Sequence, residues 1–211
     1  MNNKAERIIN ALYEHYYNNA TDDAKQMIND AKDEFVYCIY DLIAKDVDFG
    51  EKYLCAPGAS KHHHNHKYGL LEHSFELCME LACITVARKH ELTAKEIGRI
   101  AFAHDLCKVD TYSLNSDKTV FCNGALYQRH AISSIEIAEK YEMNLSAKEK
   151  ACIYIHMSKW AGGEDHTAVA ADMDIIKAVF GYTRDIADVQ DADMAACKQC
   201  EFTLAIVNEE D

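Results

Sequence analysis

The chain contains very few of the residues that interrupt helices, and this shortage constrains its fold more than any other feature. Its 211 residues include one proline, Pro57, and eight glycines. In a helix interior proline costs about 3 kcal/mol and glycine about 1 kcal/mol, so long segments that lack both favour helices joined by short loops. At this length the chain can bury one sizeable core. We therefore predict an all-α fold, a single-domain helical bundle.

Apolar residues that recur three and four positions apart predict the individual helices. The predicted helices span about residues 4–18, 22–47, 68–90 and 94–105, two segments that begin after residues 130 and 146, and about residues 167–180 and 184–207. Two capping boxes, Thr93 with Glu96 and Ser146 with Glu149, indicate helix starts. Residues 48–67 lose the periodicity and are predicted to form a loop. Aromatic and β-branched residues around a polar turn between residues 109 and 123 predict one short β-hairpin.

Charge and cysteine content limit the partners that the chain can have. The formal net charge is −13, and a surface this acidic repels long duplex nucleic acid, whose binding depends on Lys and Arg. A small phosphorylated ligand, held by a few local cations or by metal, stays compatible with this charge. There is no signal-peptide pattern and no apolar run of membrane-spanning length, and the nine cysteines indicate reduced thiols. We expect a cytoplasmic protein without a membrane partner, and homo-oligomer formation stays open.

Histidines and aspartates that suit metal binding lie near the ends of several predicted helices. His104 and Asp105 end one apolar helical run, where adjacent side chains diverge by about 100°. Divalent metals need about four to six nitrogen or oxygen donors, so this pair needs further ligands from elsewhere. The candidates are His73, His104, Asp105, His130, His156 and one late aspartate. Each histidine alone is better explained as an ordinary core or surface residue, but the combination favours a metal site between facing helices.

In this order the residues resemble the HD-domain metal-dependent phosphohydrolases, an all-helical superfamily. The resemblance covers about residues 57–201, and its most similar stretches are residues 63–74, 104–109 and 155–157 with Trp160. These stretches are similar to a phage and bacterial branch related to HD-type 3′-to-5′ exoribonucleases, whose members lack the nucleic-acid-binding domain in front. The resemblance implies a hydrolase core over residues 51–211. Residues 1–50 are then expected to form a helical segment packed on that core, within one structural domain.

The resemblance also implies a role for each candidate ligand. His73, His104, Asp105 and the late aspartate would hold one metal, and His130 and His156 would add a second, with Asp105 bridging the two. The late aspartate follows an Ala-Asp-apolar pattern that occurs at Asp172 and at Asp193. The sequence around Asp193 is closer to the branch pattern, and a helix of ordinary length fits between it and His156, so we favour Asp193 while Asp172 stays open.

Two positions depart from the family pattern. Gln190 stands where the family usually has a histidine, and Cys107 where a glycine is common. Both departures bear on substrate contacts more than on the metals. The ligand types suit Mn, Fe, Co, Ni or Zn better than Ca, and Mg fits if the carboxylates dominate.

Cationic and histidine side chains near the ligands are candidate substrate-binding residues. Lys108 lies one turn after Asp105, where it is placed to neutralise a substrate phosphate; an ordinary helix-end cation is the alternative. His63, His64 and Lys67 lie in the polar segment that leads to His73 and are candidates to close over the ligand. A solvated loop explains that segment nearly as well.

The expected function is that of a phosphohydrolase, a phosphomonoesterase or phosphodiesterase. The substrate would be a nucleotide-type small molecule or a short oligonucleotide, cleaved by a metal-activated water. An HD-type di-iron oxygenase is one alternative, and Lys108 at the hydrolase position argues against it. A non-catalytic regulatory or binding module is another, and the nearly complete ligand set argues against that.

Overall fold

The computed structural model describes residues 1–61, 63–124, 130–156, 181–198 and 201–209, with only the backbone described for Glu201 and Phe202. Most of these residues lie in helices, so the mainly helical class predicted from the sequence is confirmed. The described elements are α1 (Asn3–Asn19), α2 (Asp22–Lys45), α3 (Val47–Cys55), α4 (Gly69–Arg88), α5 (Ala94–Ala103), α6 (Lys108–Thr111), β1 (Tyr112–Leu114), β2 (Val120–Cys122), α7 (His130–Lys140), α8 (Ala147–Ile155), α9 (Thr183–Ala196) and α10 (Glu201–Asn208).

The two capping boxes recognised in the sequence lie at the starts of helices α5 and α8, as predicted. In both capping boxes the cap hydroxyl accepts a hydrogen bond from the backbone of the glutamate three residues later, and that glutamate accepts one from the cap backbone. Strands β1 and β2 pair antiparallel, with Ser113 opposite Phe121. The predicted hairpin is therefore confirmed.

The prediction of a loop over residues 48–67 is wrong for its first part, which forms helix α3. The Asp46 side chain accepts a hydrogen bond from the Phe49 backbone N–H at 3.0 Å, which caps the helix. Tyr53 and Leu54 are buried on its inner face. Gly50 permits close packing on α2, because a Cβ atom at this position would lie 2.6 Å from Cγ1 of Ile43.

The prediction of a single helix over residues 184–207 is also wrong, because α9 ends at Ala196 and α10 begins at Glu201. The N–H groups of Cys197 and Lys198 donate to the carbonyls of Asp193 and Ala195, which closes a tight turn at the end of α9. The predicted helix over residues 167–180 lies outside the described residues, as do Trp160 and Asp172.

Helix α4 lies at the centre of the fold and contacts α1, α2, α3, α5 and α9. The rings of Phe35 on α2, Phe75 on α4 and Phe102 on α5 are fully or almost fully buried. Their centroids lie 5.3 Å (Phe35–Phe75) and 6.0 Å (Phe35–Phe102) apart, in edge-to-face arrangements. Phe75 follows His73 by two residues and Phe102 precedes His104 by two, so this aromatic core positions two of the predicted ligands.

Three further expectations concern organisation and environment. The division at residue 50 stays a prediction, and the boundary falls inside α3. The described cysteines are free thiols. Among the described helices, none combines the length and the apolar character that crossing a membrane requires.

Candidate metal centre

Asp105 lies in the turn between α5 and α6, and its two carboxylate oxygens face two different groups of histidines. Its Oδ1 atom is 2.6 Å from Nε2 of His130 and 3.7 Å from Nε2 of His156. Its Oδ2 atom is 3.1 Å from Nε2 of His104 and 3.5 Å from Nε2 of His73. All five side chains are buried. The structure thus brings together histidines of α4 and α7 and the histidines that directly follow α5 and α8 around one carboxylate.

The orientation of two histidines is fixed by the backbone. The Nδ1 atom of His104 lies 2.7 Å from the carbonyl oxygen of Ala101, and that of His156 lies 2.5 Å from the carbonyl oxygen of Ile153. A carbonyl oxygen only accepts, so both Nδ1 atoms carry the proton and donate. His104 directly follows α5 and His156 directly follows α8, and each donates its hydrogen bond to a carbonyl in the last turn of that helix. The Nε2 atoms consequently point to the centre.

The Nε2 atom of His104 is suited to a cation. Burial lowers the pKa of His104, more than the nearby Asp105 carboxylate raises it, so the ring is neutral. With its proton on Nδ1, its Nε2 lone pair faces a carboxylate oxygen. The buried Nε2 atoms of His104 and His156 have no hydrogen-bond partner within the described part of the chain. Two facing acceptors repel each other unless a cation lies between them, so the donors present fit a metal ion.

The pKa of His156 shifts in the opposite direction to that of His104. Burial lowers it, but the adjacent Asp105 and the charge of Asp193 outweigh burial and raise the pKa. Metal binding at Nε2 of His156 would displace the proton of a charged ring.

Asp193 lies next to His73. Its Oδ1 atom lies 3.0 Å from Nε2 of His73. Helix α9 is held in this position by buried Asp188, which pairs with Arg88 at 2.7 Å and with His90 at 2.6 Å. These contacts tie α9 to the far end of α4. Asp193 therefore lies beside His73, and its role as the late ligand stays a prediction, while Asp172 lies outside the described residues.

The group that contains His130 has a thiol neighbour. The Nδ1 atom of His130 lies 3.1 Å from Sγ of Cys107, and the backbone N–H of Cys107 donates to Oγ of Ser134 at 3.2 Å. Burial raises the pKa of the Cys107 thiol to about 12, so the sulfur stays protonated. Cys107, where the family often has glycine, thus contacts the outer nitrogen of a candidate ligand.

The charges at the centre favour cation binding. Lys108 is buried, and its Nζ atom lies 2.5 Å from Oδ2 of Asp105. Burial opposes ionisation of Asp105, but His104, Lys108 and His130 outweigh it and hold the pKa of this carboxyl well below its usual value. Burial likewise opposes ionisation of Asp193, and a hydrogen bond from His73 outweighs it and lowers the pKa. Both carboxylates are therefore ionised, as metal ligands must be.

The predicted substrate-binding residues of the loop occupy different environments. His63 is half-buried, its ring centroid lies 5.4 Å from that of His73, and burial lowers its pKa to about 4. Lys67 is exposed, with Nζ 5.2 Å from the centroid of Tyr68. His64 is fully buried and faces two glutamates. Substrate contact by His63, His64 and Lys67 stays a prediction, and the burial of His64 favours another role.

The loop reaches His73 because two glycines allow the backbone to approach closely. The N–H of Gly58 donates to the carbonyl of His64 at 2.8 Å. A Cβ atom at Gly69 would lie only 2.0 Å from that same carbonyl oxygen. The backbone of the loop around His64 therefore packs directly against the backbone at the start of α4, one turn before His73.

Sequence reasoning missed two buried glutamates on either side of His73. Glu72 and Glu76 are fully buried on α4 and, with His64, form a second group of potential ligand atoms. Acidic residues within the apolar run of residues 68–90 were the signal that could have identified them. Gln190, where the family usually has a histidine, donates to the carbonyl of Ile155 at 2.8 Å and so supports the turn that presents His156.

Comparison of the chain with protein-family models, with curated proteins and with solved structures gave no match. The class that the fold and the cluster define is a mainly helical protein with buried histidine and carboxylate groups that could hold a metal ion.

Proposed function

We propose that this protein is a metal-dependent phosphohydrolase of the HD type, with a centre of two divalent ions. The substrate would be a phosphate ester or phosphodiester of a nucleotide-type small molecule or a short oligonucleotide. The observation that carries the proposal is the position of Asp105, whose two oxygens face separate histidine groups. A carboxylate in that position is suited to bridge two ions. When bound, such a pair lowers the pKa of a shared water and stabilises phosphoryl oxygens during in-line displacement.

The ligand set divides into two groups. His73, His104 and Asp193 would hold one ion on the Oδ2 side of Asp105, and His130 and His156 would hold the other on the Oδ1 side. Four imidazoles among six ligands favour Mn, Fe, Co, Ni or Zn over Ca and Mg. Backbone carbonyls hold the outer nitrogens of His104 and His156, so these rings would keep their orientation when a substrate enters.

Lys108 would serve as the electrostatic partner of the phosphoryl group. Its ammonium is held beside Asp105 in a buried setting, where the nearby Asp105 and Asp193 charges raise its pKa despite burial, so it stays charged. A fixed positive charge within a water-poor site stabilises charge that develops in the transition state. His63 and Lys67 lie on the loop beside His73 and would contact the more distant part of the substrate.

The net charge supports a small or short substrate. A chain with net charge −13 repels an extended polyanion. A nucleotide or a short oligonucleotide carries few phosphates and would be neutralised by the metals and Lys108. The proposal therefore excludes long duplex nucleic acid as a substrate.

The proposal is tested by measuring phosphate and nucleotide release from a panel of nucleotides, cyclic dinucleotides and short oligonucleotides. The protein is freed of metal, loaded with Mn²⁺ and assayed with and without oxygen. We expect at least one compound to be hydrolysed at the same rate in both atmospheres. Oxygen consumption coupled to substrate loss, with Mn²⁺ inactive and iron active, would instead identify the di-iron oxygenase. Substrate binding without turnover of any compound would identify a non-catalytic module.

A further inference from the structure

A second cluster of buried polar side chains lies beside the metal centre, on the other side of His73. The Nε2 atom of His64 is 3.0 Å from Oε2 of Glu76 and 3.8 Å from Oε1 of Glu72. All three side chains have no solvent-exposed area. One ligand atom from each lies within 4.8 Å of the others. None of the three belongs to the ligand set proposed for the central ions.

We propose that His64, Glu72 and Glu76 bind an additional divalent metal ion, which fastens the loop containing His64 to helix α4. This site goes beyond the proposed function, because it neither shares a ligand with the central ions nor requires that they hydrolyse anything. It would be a structural site buried in the protein, with a second carboxylate oxygen or a water as the fourth donor.

The arrangement of the two carboxylates is the first argument. Glu72 and Glu76 lie one turn apart on α4, so their carboxylates project from the same face of the helix. One divalent ion could therefore bind an oxygen of each carboxylate, with the imidazole of His64 as the third ligand.

The orientation of His64 is the second argument. Its Nδ1 atom lies 3.0 Å from Nδ1 of His63, so one of these two nitrogens donates to the other. Its Nε2 atom, on the other side of the ring, lies 3.0 Å from Oε2 of Glu76. That buried Nε2 atom has no hydrogen-bond partner within the described ranges, so it is aimed at the position a metal would take.

The surroundings hold Glu72 in place for this role. The hydroxyl of Thr203 on α10 donates to Oε1 of Glu72. Oε2 of Glu72 is 3.2 Å from Nε2 of His66, which shares the loop with His64. Outer contacts of this kind orient carboxylate ligands at metal sites. The mixture of one imidazole and two carboxylates suits Zn²⁺, Mn²⁺ or Co²⁺.

The test counts the Co²⁺ ions bound per chain, by elemental mass spectrometry after dialysis, in variants of the two clusters. We expect Glu72→Gln combined with Glu76→Gln to lose one equivalent relative to the wild type. Glu80→Gln, a change of the same chemistry on the same helix, should lose none. His104→Ala combined with Asp105→Ala removes the central site and should keep about one equivalent, together with a rise in melting temperature on adding Co²⁺.

Two results would overturn the additional site. One is a glutamine variant that binds as much Co²⁺ as the wild type, and the other is a central variant that binds none. A central variant that keeps all of its Co²⁺ would instead contradict the central site while leaving this one standing. Anomalous diffraction from wild-type crystals grown with Co²⁺ provides a test that does not depend on variant folding. It should show a peak about 2.0–2.2 Å from Nε2 of His64, and its absence there would refute the proposal.

Discussion

The Nε2 atom of His73 lies 3.0 Å from the Oδ1 atom of Asp193, and this contact joins helix α4 to helix α9 at the candidate metal centre. Asp193→Asn should weaken binding of one central ion, because an amide oxygen is neutral and a poorer ligand than a carboxylate. We expect the affinity for Mn²⁺ to fall about 10-fold to 100-fold or more, measured by calorimetric titration.

Two controls accompany this prediction. Asp191→Asn lies on the same helix, with a side chain that is largely exposed and paired with Arg88, and it should bind Mn²⁺ as the wild type does. Asp172→Asn tests the other candidate for the late ligand. Loss of Mn²⁺ affinity in Asp172→Asn, with Asp193→Asn unchanged, would reverse the assignment.

His156→Ala should remove one of the two central ions. His156 and His130 face the same oxygen of Asp105, and His130 alone offers too few donors to retain an ion beside the first. Native mass spectrometry should therefore show one equivalent of metal fewer than in the wild type. His15→Ala, at an exposed histidine of α1, serves as the control. An unchanged metal count in His156→Ala would contradict the assignment of His156 as a ligand of a second central ion.

Lys108→Ala should separate catalysis from metal binding. The lysine contributes a positive charge beside Asp105 but no ligand atom for a metal, since its ammonium has no lone pair. Metal content should stay at the wild-type level while kcat/KM falls about 100-fold or more, as is typical when one electrostatic donor is lost. Wild-type kcat/KM in this variant would assign Lys108 a structural role.

Gly98→Ala should destabilise the fold at the contact between α2 and α5. A Cβ atom at this position would lie 2.8 Å from the carbonyl oxygen of Ala31 and 2.9 Å from the backbone nitrogen of Phe35. Overpacking of this kind costs about 1–3 kcal/mol, and the higher helix propensity of alanine offsets about 1 kcal/mol of that at most. The melting temperature should therefore fall.

Gly124→Ala is the control for that change, because a Cβ atom there meets no atom of the described residues within 4 Å. Its melting temperature should stay close to that of the wild type. An equal or higher melting temperature in Gly98→Ala would show that the two helices separate readily at this point.

Local sequence signals were sufficient for much of the fold. The two capping boxes and the polar turn of the hairpin act over a few residues, so their structural outcome could be predicted without tertiary information. Helix α3 was missed because its apolar face is short and interrupted by Gly50. That glycine is explained by close packing against Ile43 of α2, which no local pattern reveals.

Some residues of the candidate site could likewise be predicted from the sequence, and others could not. His104 and Asp105 could be selected because they are adjacent at the end of an apolar run, and the family order then suggested their partners. The cluster of His64, Glu72 and Glu76 depends on a loop that returns to α4 through the backbone contact between His64 and Gly69. The support that Asp188 gives to α9 depends on Arg88 and His90. The contacts of Asp188 join distant parts of the chain and the His64–Gly69 contact depends on the path of a loop, and helical periodicity contains no information about either.

The most direct test of the account compares product release by wild-type protein and Asp105→Ala, both loaded with Mn²⁺ in the absence of oxygen, on a substrate identified in the panel. Asp110→Ala, at an exposed aspartate just after Asp105, serves as the control. We predict release of phosphate or nucleotide by the wild type and the control, and only the uncatalysed rate with Asp105→Ala. Release at the wild-type rate by Asp105→Ala would contradict the claim that a centre bridged by Asp105 performs the hydrolysis.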